Sequence, residues 1–332
     1  RTETDVMGAF SAEFPDRHDV LTANDVAPYV GVLQRWKALF LQYDFVIAYS
    51  TDPILPMLCG NPYFAFEHGT IRDIPYQKDA TGRLTALAYR LAEHVFVTNF
   101  DCRSSAEYLA PGRYTLINHP YDEDHGLQVS GADQLRAQLC GELDSDLLLF
   151  HPTRQDWVPD TGYADKSNDV FLRAFAGLRQ RGCRVGLICC EWGGNVEQSR
   201  ALLDSLGVSK YVKWIPPQAI TPFERYCMGC DIVVDQFKLG AFGGVVFKAM
   251  AVGAPILTYL DIERLSAQYP LPPPVINCRT QGDIIGAIEG IFSTPQKLES
   301  LGTASRAWMK QFHSKHATIN AQVDQFRLHS PQ

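Results

Sequence analysis

The sequence lacks the features of nucleic-acid-binding and membrane-spanning proteins. It has no cluster of lysine and arginine, and its 332 residues carry a formal net charge of -7. Because nucleic-acid binding requires clustered cations that neutralise phosphates, nucleic acid is excluded as the main partner. No apolar run reaches about 18 residues, so no membrane-spanning helix is predicted and any membrane contact is expected to be peripheral.

The nine cysteines form no set with metal-binding spacing, and no metal is expected. Cys227 and Cys230 make a C-x-x-C pair, but a zinc site needs a second ligand pair, and none matches. Redox chemistry is the alternative to core packing for this pair, and packing is favoured because Cys230 leads into the apolar run 232–234. Cys189 and Cys190 also lie in an apolar run, which is typical of buried thiols in a reducing compartment, so a cytoplasmic protein is expected.

Apolar runs of strand length alternate with helical patterns along the chain. In the first third, the strand-like runs fall at 18–24, 43–50, 61–69, 94–99 and 113–120. After a polar stretch, the same alternation restarts with the apolar run LLLF. Strands that alternate with helices predict crossover units and parallel sheets. We therefore expect an α/β protein with two doubly wound, Rossmann-like sheets that face each other across a cleft.

The polar, strand-poor stretch at 126–145 is the predicted linker between the two domains. It separates a first domain at 1–125 from a second domain at 146–312, and a last helix at 313–332 is expected to pack back toward the first domain. The chain begins at Arg1 without an initiator methionine or a signal peptide, so we expect it either to be excised from a longer chain or to be processed.

Polar residues at helix starts give two local expectations. Thr280 is expected to cap the helix that begins at residue 281. Thr221, Pro222 and Glu224 have the spacing of a capping box, which predicts a helix over 222–229.

A glycine-rich stretch lies between the apolar run 232–234 and a helical pattern. Glycines allow the backbone to approach a ligand, and a helix start adds free N–H groups and the positive end of the helix dipole. Arg154 follows a strand and Lys166 precedes a helix, so both cations are expected at the same sheet edge as the glycines. A diphosphate site is one interpretation, and surface cations beside close helix–sheet packing are the other. The loop has neither the Walker nor the G-x-G-x-x-G spacing.

The segment FGGVVFKAMAVGAPILTY, residues 242–259, resembles the F-G-x-x-x-x-E-A-M-A-x-G-x-P-V-I motif of glycosyltransferase family 4, the retaining group 1 enzymes of GT-B fold. Shorter pieces follow in the family's order: LLLFHPTR, RVGLICCEWGG, PFERYCMGCDIVVDQF, EHGTIRDIP and YTLINHPYD. The resemblance covers about residues 43–310. It implies a polysaccharide-biosynthesis enzyme that transfers a sugar from a nucleotide-diphosphate sugar to a glycan or glycolipid, with retention and without a metal or other cofactor.

The resemblance implies a donor site built from two cations and the backbone of the glycine-rich loop: Arg154, Lys166, Phe242, Gly243 and Gly244. The cations and the helix start would stabilise the charge that develops on the leaving diphosphate. Asp235 and Gln236, which end the preceding strand, are expected to make further polar contacts with the donor.

His68 is the catalytic candidate of the first domain. It follows an apolar run, and Gly69 permits a tight turn after it. Family members place a first-domain histidine near the transferred sugar. Arg72 is expected to orient donor or acceptor, and Glu67 is a second candidate as a base or hydrogen-bonding carboxylate. A helix-capping or sheet-edge imidazole is the alternative interpretation of His68.

Two positions depart from the family pattern. Gly240 and Lys248 replace the two glutamates that the family usually carries eight positions apart. A lysine cannot accept a hydrogen bond from a ribose hydroxyl, so Lys248 is expected either to bind phosphate or a donor carboxylate or to be a solvated surface residue. Residues 1–20 also lack the glycine-rich loop that usually opens a GT-B domain. Two alternatives therefore remain: a non-catalytic sugar-binding or scaffolding module, and a sugar-nucleotide epimerase.

Overall fold

A computed structural model describes residues 29–124, 126, 129–158 and 165–329, with only the backbone of residues 29–32. The strand expected at 18–24 lies outside these residues. The described chain forms two compact units: a C-terminal unit of residues 121–314, and an N-terminal unit of residues up to 120 together with 315–329. Each unit is built on one parallel sheet with helices, so the predicted α/β class with two Rossmann-like sheets is confirmed.

The N-terminal unit has a four-stranded parallel sheet in the order β1-β2-β3-β4. Its strands are β1 (Ile47–Tyr49), β2 (Phe64–Glu67), β3 (His94–Val97) and β4 (Tyr114–Leu116). Four helices accompany them: α1 (Tyr29–Phe40), α2 (Ile54–Cys59), α3 (Ala80–Leu91) and α4 (Arg103–Leu109). Every residue of β2 is buried, because Ala65 packs on one face of the sheet while Phe64 and Phe66 pack on the other.

The C-terminal unit has a six-stranded parallel sheet. Its strands are β5 (Leu147–His151), β6 (Val185–Cys190), β7 (Val212–Ile215), β8 (Ile232–Val234), β9 (Ile256–Thr258) and β10 (Ile276–Asn277). In the order β10-β9-β8-β5-β6-β7, the chain places β6 and β7 on one side of β5 and then returns to place β8, β9 and β10 on the other side. The switch point lies between β5 and β8. In open α/β sheets a ligand site is expected beyond the carboxyl ends of the strands at this switch point.

Eight helices cover the second sheet and give it two apolar layers. They are α5 (Ala132–Glu142), α6 (Asn168–Gln180), α7 (Val196–Ser205), α8 (Ile220–Gly229), α9 (Gly244–Ala251), α10 (Ile262–Leu265), α11 (Gln281–Ser293) and α12 (Gln296–His313). Along β5, Leu148 and Phe150 enter one core cluster while Leu147 and Leu149 enter the other. This alternation explains why the strand reads as a continuous apolar run.

A last helix, α13 (Lys315–Leu328), belongs to the N-terminal unit. Its Phe326 stacks on Phe45 with ring centroids 5.1 Å apart and meets Phe64 edge-on at 4.9 Å. The helix thereby covers the phenylalanine face of the first sheet.

Some local expectations need correction. Part of the predicted linker at 126–145 is the helix α5, which belongs to the C-terminal unit. Helix α8 begins at Ile220, so Glu224 is an interior position, and its buried carboxylate accepts a hydrogen bond from the Tyr121 hydroxyl at 3.2 Å. The cap expected at Thr280 is confirmed, because its side chain accepts the amide of Asp283.

The C-x-x-C pair is part of the core. Cys227 and Cys230 are buried in an apolar cluster as free thiols, and burial raises the pKa of both. Their role in this structure is packing. Among the described residues, no helix combines the length and the apolar character needed to cross a membrane.

Candidate functional site

The carboxyl ends of β5 and β8 are joined by side-chain hydrogen bonds at the switch point of the second sheet. The buried His151 ends β5, and its Nδ1 donates to the carbonyl of Val234 at 3.1 Å. Thr153, two residues later, donates from Oγ1 to Oδ1 of Asp235 at 2.8 Å. The loop that carries Arg154 and the glycine-rich loop therefore start from two strand ends that these hydrogen bonds hold together.

Asp235 anchors the glycine-rich loop. It is buried, and its Oδ2 accepts the amide of Gly243 at 3.1 Å. Burial raises the pKa of Asp235, and the hydrogen bond from Thr153 and the charge of Lys166 partly offset that effect. Both carboxylate oxygens are thus used inside the protein. These bonds give Asp235 a structural role, and its expected contact with the donor stays a prediction.

Gly243 is required by space rather than by backbone conformation. Its φ of -88° is open to any residue, but a Cβ at this position would overlap the carboxylate of Asp235. The close approach of loop to carboxylate is therefore possible only for glycine.

Gln236 holds the other side of the same loop. It is buried, its Nε2 donates to the carbonyl of Ala241 at 2.8 Å, and its Oε1 faces Nζ of Lys166 at 3.5 Å. Gln236 therefore orients Lys166 and the loop, and its expected contact with the donor stays a prediction. Lys166 is brought to the same edge as the glycines, as the sequence predicted.

The start of helix α9 offers free hydrogen-bond donors. In the described part of the chain, no group accepts a hydrogen bond from the amides of Gly244 and Val245. Gly244 is exposed, and a Cβ at this position would meet no atom within 4 Å, so the side of the helix start at Gly244 is open. Free amides and the helix dipole make such a position an anion site.

Phe242 contributes to the core instead of the loop surface. Its ring lies 4.9 Å from that of Phe247 and 5.7 Å from that of Trp308. The contact between its backbone and the donor stays a prediction.

Arg154 combines a fixed backbone with an accessible guanidinium. The buried Asn168, first residue of α6, donates from Nδ2 to the Arg154 carbonyl at 3.0 Å. The side chain is 41% exposed, with Nη1 3.4 Å from Oδ2 of Asp156 and the guanidinium carbon 5.9 Å from the centre of the Trp192 ring. The structure therefore places Arg154 at the predicted edge, held by Asp156 and Trp192.

Asn168 and His151 are supporting residues that sequence reasoning missed. Asn168 Nδ2 also meets Nε2 of His151 at 2.9 Å, while Nδ1 of His151 donates to Val234. Burial lowers the pKa of His151 to about 4, so the ring is neutral and Nε2 accepts. A polar residue at the first position of a helix beside a strand end is the signal that could have found Asn168.

The two positions that depart from the family pattern differ in their surroundings. Gly240 has φ of 71°, and a Cβ there would lie 3.0 Å from Cβ of Asp261, so a glutamate is strained at this position. Lys248 is exposed on α9, with Nζ 6.0 Å from the Phe223 ring and no carboxylate within ion-pair distance among the described residues. Both interpretations of Lys248, ligand contact and solvated lysine, agree with this placement.

His68 lies in an aromatic group at the carboxyl edge of the first sheet. Its ring stacks on Tyr49 at 5.4 Å with an interplanar angle of 17°, and His119 lies 5.3 Å away. Partial burial of the ring among its aromatic neighbours and, to a smaller extent, the charge of His119 together lower the pKa of His68 to about 4. His68 is exposed and neutral near pH 7, able to donate one hydrogen bond and accept another.

Glu67 and Arg72 support the turn that presents His68. Glu67 is buried, and its carboxylate accepts from the Gly69 amide and from Asn99 Nδ2 at 3.3 Å. Burial raises its pKa. Arg72 forms a two-point ion pair with Asp101, one branch of which is 2.9 Å. These contacts agree with the hydrogen-bonding role expected for Glu67, while a role of Glu67 as a base and the orientation of a substrate by Arg72 stay predictions.

The described residues contain no group of three or more His, Cys, Asp or Glu side chains arranged to share a metal ion. At the edge of the C-terminal sheet, the cations Arg154 and Lys166 and the free amides of Gly244 and Val245 fit a ligand that carries its own negative charge.

The two sheets and the anion site define an α/β protein of the GT-B type, and comparisons with known proteins agree. No protein-family model matches the chain. The D-inositol 3-phosphate glycosyltransferase of Gordonia bronchialis is 26% identical over 172 residues, which is 48% of this chain and 37% of that protein. The chain thus spans well under two thirds of that relative's length.

Solved structures show the same fold. The Anabaena protein HepE in complex with UDP and glucose superposes with a TM-score of 0.70 at 16% identity, covering 93% of this chain and 84% of that one. Sucrose-phosphate synthase from Thermosynechococcus elongatus has a TM-score of 0.68 at 16% identity, covering 93% and 80%. The predicted resemblance to GT-B glycosyltransferases is therefore confirmed for the fold.

Proposed function

We propose that the protein is a glycosyltransferase that moves a sugar from a nucleotide-diphosphate donor to a glycan or glycolipid acceptor. One observation carries the proposal: the free amides of Gly244 and Val245 open onto the same sheet edge that holds Lys166 and Arg154. A concentration of donors and cations at a topological switch point suits a diphosphate.

The chemistry of the leaving group follows from these residues. When the sugar–phosphate bond breaks, negative charge grows on the diphosphate, and fixed cations and amides stabilise it without rearrangement. We propose that Arg154 and Lys166 supply this stabilisation in place of a metal ion. We propose transfer with retention by attack on the same face, without Glu67 as a nucleophile, because its carboxylate is buried and engaged.

HepE, of the same fold, was solved with UDP and glucose, so uridine diphosphate sugars are the first donors to test. For the transferred sugar we propose a contact with His68, whose neutral imidazole can hydrogen-bond a hydroxyl. The stacked Tyr49 ring beside it offers an apolar face of the kind that suits a sugar ring.

The nine cysteines are all free thiols in the structure, and most are buried. This supports our proposal that the protein works in a reducing compartment such as the cytoplasm. A glycolipid acceptor would in addition require contact with a membrane surface.

A donor-binding module without transferase activity is the second candidate. It is favoured by the two departures from the family pattern, because Gly240 and Lys248 leave no carboxylate at either position. Binding and transfer are separate measurements, so the two candidates can be distinguished.

The decisive assay follows nucleotide release and donor integrity together. The protein is incubated with uridine, guanosine and adenosine diphosphate sugars, with and without saccharide and glycolipid acceptors, and released nucleotide is quantified by chromatography. We expect acceptor-dependent release with one donor, and loss of release in Arg154→Ala but not in Arg181→Ala, whose arginine pairs with Glu289 at the other end of α6. Donor binding without release would favour the module, and an isomerised donor would favour an epimerase.

A further inference from the structure

Helix α3 presents an apolar and cationic face to solvent. Leu87 and Leu91 are 45% and 57% exposed, and their spacing of four residues places them on one face of the helix. Arg83 and Arg90, four residues before and three after Leu87, lie on the same exposed face. The helix sequence ATGRLTALAYRL contains no acidic residue.

Two tyrosines extend this face beyond the helix. Tyr76 and Tyr108 are 49% and 62% exposed, and their ring centroids are 6.3 Å apart. Arg90 joins them to the helix, because its guanidinium lies 5.4 Å from the Tyr108 ring and its Nη2 donates to the Tyr108 hydroxyl at 3.3 Å. We call this surface the α3 patch, composed of Tyr76, Arg83, Leu87, Arg90, Leu91 and Tyr108.

In the described part of the chain, no ion pair neutralises the two arginines of the α3 patch. Neither Arg83 nor Arg90 has a carboxylate within 4 Å in the described part of the chain, and the same holds for three cations of this segment: Lys78, Arg103 and Arg113. The exposed carboxylates of the segment are Asp79, which caps α3, and Glu93 and Glu107. The segment 76–113 thus has more cations than unpaired carboxylates, although the whole chain is acidic.

We propose that the α3 patch binds the surface of an anionic lipid bilayer. Leucines with neighbouring arginines on one helix face are the composition of an interfacial helix, whose apolar side chains enter the boundary between headgroups and acyl chains. Tyrosine suits the same depth because its ring is apolar and its hydroxyl is polar. Arginines at the rim pair with lipid phosphates, and this charge complementarity favours a bilayer over an uncharged protein surface.

This inference goes beyond the transfer reaction, because an enzyme acting on a dissolved glycan needs no bilayer contact. The reaction and the surface can therefore fail independently. A glycolipid acceptor would join them, since docking would bring the protein to the layer in which its acceptor resides.

The test is co-sedimentation of the full chain with vesicles of phosphatidylcholine containing about 30% phosphatidylglycerol, compared with pure phosphatidylcholine. We expect binding to the anionic vesicles that weakens as salt is raised. The double variants Arg83→Glu/Arg90→Glu and Leu87→Ser/Leu91→Ser should each reduce binding by about tenfold or more. All variants should keep a cooperative melting transition close to that of the wild type without added nucleotide, which shows that they are folded.

Matched control variants make the same kinds of substitution outside the α3 patch. Arg264→Glu/Lys297→Glu changes charge equally, and Leu271→Ser/Leu328→Ser removes leucines that are 49% and 75% exposed. Both controls should bind vesicles like the wild type. Absence of wild-type binding at low salt, or equal losses in patch and control variants, would overturn the proposal. A dimer that only the patch variants convert to monomer would assign the patch to a second copy of the chain and also overturn it.

Discussion

The two parallel sheets end in edges of opposite chemistry. The edge of the C-terminal unit presents cations and backbone amides, represented by Arg154, Lys166 and Gly244. The edge of the N-terminal unit presents stacked rings, Tyr49 and His68, with a lowered pKa that keeps the histidine neutral. The first kind of edge suits a charged phosphate group, and the second suits an uncharged ring that carries hydroxyls.

Beneath this difference, both edges use the same supporting device. A buried carboxylate at the strand end accepts the amide of a glycine in the following turn: Asp235 with Gly243, and Glu67 with Gly69. In both turns a Cβ on the glycine would overlap a neighbouring polar side chain, so the glycine cannot be replaced without moving the support. The comparison shows that acidic residues beside a site can serve its shape rather than its chemistry.

The largest expected effect concerns the charged edge. Arg154→Ala should weaken the affinity for a nucleoside diphosphate by about tenfold to a hundredfold, because a hydrogen bond to a charged group contributes about 1.5–3 kcal/mol. Calorimetric titration measures the change, with Arg181→Ala as the control that keeps wild-type affinity. Unchanged affinity in Arg154→Ala would show that Arg154 at the charged edge does not bind the diphosphate.

Substitutions at two adjacent glycines test the contact between the buried carboxylate of Asp235 and Gly243. Gly243→Ala should lower the free energy of unfolding by about 1–3 kcal/mol, because the new methyl group overlaps Asp235 and overpacking costs this much. Gly244→Ala, whose methyl group meets only open space, should be neutral or stabilising by up to about 1 kcal/mol. Chemical denaturation of both variants measures the difference, and equal effects would contradict the carboxylate–glycine contact.

The neutral His151 predicts a pH dependence of stability. Its pKa falls from an ordinary value near 6.5 to about 4 on folding, so the unfolded chain binds more protons between these values. Its contribution is complete above pH 6.5 and is lost as pH falls toward 4, by about 2 kcal/mol at pH 5. His151→Gln should therefore lose less stability than the wild type between pH 7 and 5 in urea unfolding. Parallel losses would mean that His151 titrates normally.

The smallest expected effect concerns the carboxylate of the aromatic edge. Glu67→Gln retains the size and acceptor oxygen of the side chain, so transferase activity should change by only about threefold or less if Glu67 is structural. His68→Ala should lower kcat by about tenfold or more through loss of a sugar contact. Initial-rate kinetics at saturating donor compare them, and a larger loss in Glu67→Gln would restore its role as a base.

The sequence predicted the elements well and their side-chain contacts less well. Apolar periodicity located the strands, and residue type located Thr280 as a cap, because both signals depend on neighbours in the chain. The sequence predicts polar site roles for Asp235 and Glu67 and a capping role for Glu224. Each carboxylate instead has a hydrogen-bond partner far away in sequence: Thr153, Asn99 and Tyr121, respectively. Which atom lies beside a carboxylate depends on how the strands pair, and a single sequence does not give the distances between residues that are far apart along the chain.

The central claim is that the C-terminal unit binds the diphosphate of a nucleotide at Arg154, Lys166 and the start of α9. The most direct test compares the melting temperature of the wild-type protein with uridine diphosphate and with uridine. We predict a clear rise with the diphosphate alone, since a ligand at 100 times its Kd stabilises by about 2.7 kcal/mol, and a clearly smaller rise in Arg154→Ala at the same ligand concentration. Equal shifts with uridine and uridine diphosphate, or no shift with any nucleoside diphosphate, would contradict the claim.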